Sequence, residues 1–133
     1  MGPLEPLLEA GATVIAIARK DNPKKAGKWE CLLEKAQKTR GRLICPLSTQ
    51  NDEPASADDN DVTTMAPLAG ADATGDLPEL IQWLLSPGLQ SKLQGMPVSI
   101  YNGIYLDGEG FVRASVAMDA IVSAYLQAGL TLT

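Results

Sequence analysis

Residues 101–113, YNGIYLDGEGFVR, bring Asn102, Tyr105, Asp107, Glu109 and Arg113 into one short run. Asp107 and Glu109 are of the type used as an acid/base pair, in which one carboxylate holds a proton while the other stays ionised. The same residues have a plainer reading. Asp107 and Gly108 make a turn, Glu109 favours the positive end of the following helix, and Arg113 pairs with Glu109 one turn on. A second acidic group, Asp58, Asp59 and Asp61, raises the question of calcium, but its spacing lacks the alternating aspartates, the glycine and the closing glutamate of a dedicated calcium loop. The sequence contains no histidine and only two cysteines, Cys31 and Cys45. This excludes Ser-His and Cys-His dyads and leaves neither a zinc pattern nor a disulfide scaffold.

Charge and composition narrow the partners. The chain has 133 residues, 45% of them hydrophobic and 20% charged, which is ordinary for a globular protein with a real core. Eleven basic against 16 acidic residues give a net charge of −5, so the long-range field disfavours nucleic acid and anionic membrane surfaces. No apolar run approaches the roughly 18 residues of a membrane span. The expectation is a soluble chain with protein partners.

The elements that must position these residues follow an alternating pattern. Residues 3–9 read as a short helix with Leu4, Leu7 and Leu8 on one side, closed by Gly11. Residues 12–18 follow as an uncharged strand, the pattern of a strand buried on both faces in a parallel sheet. Residues 28–39 place Trp29, Leu32, Leu33 and Ala36 at helical spacing, and Gly41 ends that helix before a second strand at 43–47. Residues 48–64 carry five acidic side chains and almost nothing large and apolar, and read as a solvated loop insertion. Residues 76–86 form an amphipathic helix opened by Asp76 as a cap, with Leu77, Leu80, Ile81, Leu84 and Leu85 on one face. A third strand is expected at 97–101, parallel to the first two. A long helix is expected at 110–127, buried on most of its sides, with Asp119 the odd residue in it. Together these give an α/β fold class, a Rossmann-like three-layer fragment with a short parallel sheet, as a single domain over 1–133.

LLEAGATV at 7–14 and YLQAGLTL at 125–132 share one junction: a helix end, Ala-Gly, then a β-rich run. The first begins and the second breaks off in mid-motif, as expected of the middle of a larger domain. With these residues the chain resembles the NAD(P)-binding Rossmann superfamily, especially its short-chain dehydrogenase-like branch, over about residues 2–47. The resemblance implies a glycine-rich phosphate loop ahead of the first helix, of which Gly2 would be a remnant. It also implies a cofactor-reading position at the end of the following strand, here Arg19 with Lys20 beside it. A base at that position implies NADP. The family's catalytic tyrosine is followed four residues later by a lysine that lowers the phenol pKa. Here the residues four beyond Tyr101, Tyr105 and Tyr125 are Tyr105, Glu109 and Gly129. The hydride-transfer signature is therefore missing, and the catalytic residues stay unknown.

Two functions follow. The first is a non-catalytic or degenerate Rossmann-like subunit of a larger assembly, held through the long C-terminal helix and the acidic loop, with Asp58, Asp59 and Asp61 facing the partner. The second is an NADP-dependent oxidoreductase of the short-chain dehydrogenase type, with Gly2, Arg19 and Lys20 on the cofactor.

Overall fold

The computed structural model describes residues 2–48, 55–56 and 61–133. Its contacts group into two compact units, Met1–Asp72 and Ala73–Thr133.

In the first unit, α1 (Leu4–Glu9) ends where Gly11 adopts φ +89°, and Ala12 N–H turns back to donate to the Leu7 carbonyl at 3.0 Å. The left-handed backbone at Gly11 is what lets the chain leave the helix and enter β1 (Thr13–Ile15) directly. The chain then passes through α2 (Lys28–Gln37) to β2 (Arg42–Cys45), which lies parallel to β1 with Val14 opposite Leu43. A helix between two parallel strands is the crossover that the sequence pattern implies. The sheet is not purely parallel, however. β3 (Ala55–Ser56) pairs antiparallel with the other edge of β2, giving the order β1-β2-β3.

That arrangement corrects three expectations. The strand buried on both faces is β2, whose Leu43, Ile44 and Cys45 are all buried, while β1 is half-buried because it is an edge with one neighbour. The third strand comes from within 48–64, a segment expected to be only a solvated loop. Residues 97–101 do not join this sheet. Pro97 has no N–H to give, and Val98 alone forms a parallel bridge, donating to the Thr131 carbonyl and accepting from Thr133 N–H.

The core of this unit grows from α2. Trp29, Leu32, Leu33 and Ala36 are all buried, as their spacing implies, and cluster with Leu8, Leu43, Cys45, Val62, Met65 and Ala69. Val62 and Met65 come from the one-turn helix α3 (Val62–Met65).

The second unit is helical. In α4 (Leu77–Leu84) the residues Leu80, Trp83 and Leu84 are buried; Leu77 and Ile81 of the expected apolar face are half-buried. Asp76 occupies the N-cap position, but its side chain makes no capping bond there, so helix entry relies on Pro78 in the first turn. Pro87 and Gly88 stop α4, and Pro87 opens α5 (Pro87–Leu93), which Ser86 caps by accepting Leu89 N–H at 3.4 Å. Gln90 donates from Nε2 to the Leu84 carbonyl at 2.7 Å and to the Tyr125 hydroxyl at 3.0 Å, tying α5 to the preceding turn and to α6 (Glu109–Gln127). Only one face of α6 is buried, that of Ala114, Ala117, Ile121 and Tyr125. Phe111, Val112, Val116 and Leu126 are each more than half exposed. This overturns the expectation of a helix buried on most sides, and Asp119 lies in the open on the outer side. Among the described residues, no helix is long and apolar enough to cross a membrane.

Two outcomes follow from this packing. Leu33→Ala removes a fully buried side chain and lowers stability by about 2–5 kcal/mol. Leu7→Ala, at a site 43% exposed, changes it by less than about 0.5 kcal/mol. Urea unfolding followed by tryptophan fluorescence measures both. The thiols also differ. Cys31 is exposed, whereas burial pushes the Cys45 thiol up to about 11 from its ordinary 9.0. A thiol reagent therefore labels Cys31 in the folded protein and Cys45 only on unfolding. Between about pH 9 and 11 the unfolded chain loses this proton while the folded chain keeps it, so stability contributed at Cys45 falls as pH rises.

Candidate functional site

The carboxyl ends of β1 and β2 are joined by a returning segment, 68–72. Ser48 N–H donates to the Leu68 carbonyl at 2.8 Å, Gly70 N–H to the Pro46 carbonyl at 2.9 Å, and Ala71 N–H to the Ala18 carbonyl at 2.9 Å. Both strand exits are thus tied to one short stretch of chain. Gly70 makes the joint possible. It sits at φ +114°, and a Cβ there would lie 2.7 Å from the Lys20 nitrogen, 2.8 Å from Trp29 Nε1 and 2.9 Å from the Ala18 carbonyl oxygen. Any other residue forces apart three groups that the joint holds together.

Trp29 closes the joint from beneath. Its ring is fully buried, and its Nε1–H donates to the Arg19 carbonyl at 3.0 Å, which satisfies the one polar atom the ring carries inward. Its backbone N–H donates to Asp21 Oδ2 at 3.3 Å. Asp21 thereby caps α2, whose own N-cap residue is Gly27 at φ +85° and has no side chain to offer.

β1 ends at Ile15 and not at residue 18 as expected, so Arg19 and Lys20 lie four and five residues beyond it in irregular chain, both exposed. Arg19 Nε pairs with Asp72 Oδ2 at 3.0 Å, with 65% and 35% of the two side chains exposed. An ion pair this exposed contributes at most about 1 kcal/mol, but it puts an acid beside the base to which the resemblance assigns a phosphate. Gly2 adopts φ +63° and is exposed ahead of α1, with nothing within 4 Å of where its side chain would be. Arg19 and Lys20 are adjacent at the strand exit, and Gly2 is not drawn into the joint around Gly70. The residues that organise this corner, Gly70 and Asp72, were not readable as such, and Trp29 was readable only as core. The signal for Gly70 is slight: a glycine after the apolar run at 65–69, where the chain turns back.

The other sequence candidates separate. Glu109 and Arg113 form the expected ion pair at 2.5 Å across one helical turn. Gly108, at φ +57°, begins α6, and the Asn102 side chain accepts Ile104 N–H at 3.1 Å in a local turn. The plainer reading of 101–113 accounts for these contacts. The Asp61 carboxylate accepts Thr63 N–H at 3.2 Å and caps α3. Asp58 and Asp59 lie outside the described residues. Among the described residues, no three His, Cys, Asp or Glu side chains are grouped to hold a metal.

A shallow groove of about 440 Å3 lies between α1 and the end of α2, lined by Glu5, Leu8, Glu9, Lys35, Lys38, Thr39 and Arg40. Lys35 and Glu5 are paired across it. The lysine's hydrogen bond holds the Glu5 carboxyl below its usual range, and the same bond raises the Lys35 ammonium.

No family model matches the chain, and neither a curated protein nor a solved structure matches it significantly.

Gly70→Ala is expected to destabilise the protein by at least about 1–3 kcal/mol, the range for a side chain forced into a sparsely populated backbone region. Gly95→Ala, also at positive φ but with open space around it, loses less. Thermal unfolding of the two variants checks the order.

Proposed function

We propose that this chain is a non-catalytic, protein-binding subunit of a larger assembly. The observation that carries this reading is the pair of aromatic side chains Tyr101 and Tyr105, 71% and 88% exposed, in a segment without regular structure. Tyrosine is enriched at protein interfaces because it offers large apolar area at low rotamer entropy with a hydroxyl for the wet rim. Tyr101 lies against the bare α-carbon of Gly103, where a Cβ would meet its ring at 2.7 Å. Sequence supports the non-catalytic part, since no tyrosine has a lysine four residues on and no histidine exists.

A second reading has one observation of its own. Arg19 and Lys20 follow β1, a strand in a parallel pair, by four and five residues, on the side where an adenosine 2′-phosphate is read in the family the sequence resembles. On this reading the phosphate meets the Nη groups of Arg19, whose Nε is paired with Asp72.

The test is a photoreactive side chain in place of Tyr105, with nucleotide calorimetry beside it. The expected result is a discrete cross-linked product with a different protein and no heat with NADP or NAD. The opposite pattern supports the cofactor reading: no adduct, and NADP binding that Arg19→Glu weakens far more than NAD binding.

A further inference from the structure

We propose that Asn102 and Gly103 form a site of spontaneous covalent modification, at which the Asn102 amide is converted through a cyclic imide into aspartate and isoaspartate. The pair lies in the segment of Tyr101 and Tyr105, but the modification does not rest on the function given above. It needs only water.

The reaction requires a free backbone nitrogen after the asparagine, a side-chain amide turned toward it, and a backbone able to rotate. All three are met here. Asn102 and Gly103 are both exposed. Among the described residues, nothing accepts the Gly103 N–H, and residues 99–107 make no backbone–backbone hydrogen bond. Asn102 Oδ1 accepts Ile104 N–H at 3.1 Å, which folds the side chain across the Gly103 peptide. That donor also stands where negative charge develops on Oδ1 as the nitrogen attacks, and so stabilises it. Gly103 contributes by what it lacks: without a Cβ it shields its nitrogen least and rotates most freely.

The step balances without any co-reactant but water. The Gly103 nitrogen loses its proton to water and bonds to Asn102 Cγ, the Cγ–Nδ2 bond breaks, and Nδ2 leaves as ammonia. Water then opens the imide at one of its two carbonyls. Opening at Cγ breaks the new bond and leaves aspartate. Opening at the backbone carbonyl leaves the chain running through Cγ, as isoaspartate, with one more carbon in the backbone between the Tyr101 and Tyr105 rings. Either product adds one carboxylate to a chain whose net charge is −5.

The molecule carries its own control. Asn22 is also exposed and makes the same turn, its Oδ1 accepting Lys24 N–H at 3.0 Å. The residue after it is Pro23, whose nitrogen has no proton to lose. Two asparagines alike in exposure and side-chain bonding thus differ in the nucleophile beside them. Asn51 and Asn60 lie outside the described residues.

Ageing the full chain in mildly alkaline buffer, followed by digestion and mass spectrometry of each asparagine peptide, tests this, with isoaspartate read by enzymatic methyl transfer. The expected result is loss of the amide at Asn102, with isoaspartate among the products, and no loss at Asn22. Gly103→Ala slows the loss at least about tenfold, because a methyl group crowds the nitrogen and restricts rotation, while circular dichroism shows the fold kept. The folded chain reacts at Asn102 as fast as the chain unfolded in guanidinium chloride, since no backbone bond holds the pair shut. An Asn102 that keeps its amide overturns the proposal, and so does aspartate formed with no isoaspartate. A Gly103→Ala variant that reacts at the parent rate, or a reaction that appears only in the unfolded chain, overturns it as well.

Discussion

The first unit depends on where the indole of Trp29 ends up. The ring needs a fully apolar surround, and its N–H needs an acceptor inside that surround; both demands are met at one point, beneath the Arg19 carbonyl. Meeting them fixes how far the chain runs beyond β1 before it turns toward α2, and it holds open the space into which only a glycine fits at position 70. The crossing of segment 68–72 over both strand exits then follows, and with it the closeness of Asp72 to Arg19. Three stretches far apart in sequence are thus set by one side chain that has a single polar atom.

What the sequence made legible was what local periodicity controls. The buried residues of α2 were readable because helical spacing puts Trp29, Leu32, Leu33 and Ala36 on one face whatever they pack against. The parallel pairing of β1 and β2 was readable because a helix joins them. The third strand was not. Residues 55–56 have no apolar pattern, and they pair with β2 because its second edge was open to backbone hydrogen bonds, which carry no side-chain signal. Residues 97–101 failed for the complementary reason: an apolar run does not say whether its partner is a sheet or the chain's own end.

At the candidate site the divide is the same. The Glu109–Arg113 pair was readable because it lies one turn apart. The Arg19–Asp72 pair spans 53 positions, and no local rule predicts it. The resemblance drew attention to Arg19 and Lys20 as cofactor readers but could not show that an acid from a distant loop would stand beside them. On α6, the expectation of general burial treated apolar content as a proxy for contact. The outer valines show the difference: alanine-rich helices are apolar on all sides, and only the positions at 114, 117, 121 and 125 meet the core.

The cap that Asp21 places on α2 has a consequence for the order in which the chain acquires structure. The carboxylate reaches a backbone N–H 8 residues ahead, and the Trp29 indole reaches back 10 residues to Arg19. Both close short loops, which lose little chain entropy and close far faster than strand pairing between distant segments. The corner between β1 and α2 is therefore a local nucleus. β2 and the returning segment have a formed surface to settle on, and the slow part of folding is left to the bonds that Gly70 and Ala71 donate to the Pro46 and Ala18 carbonyls.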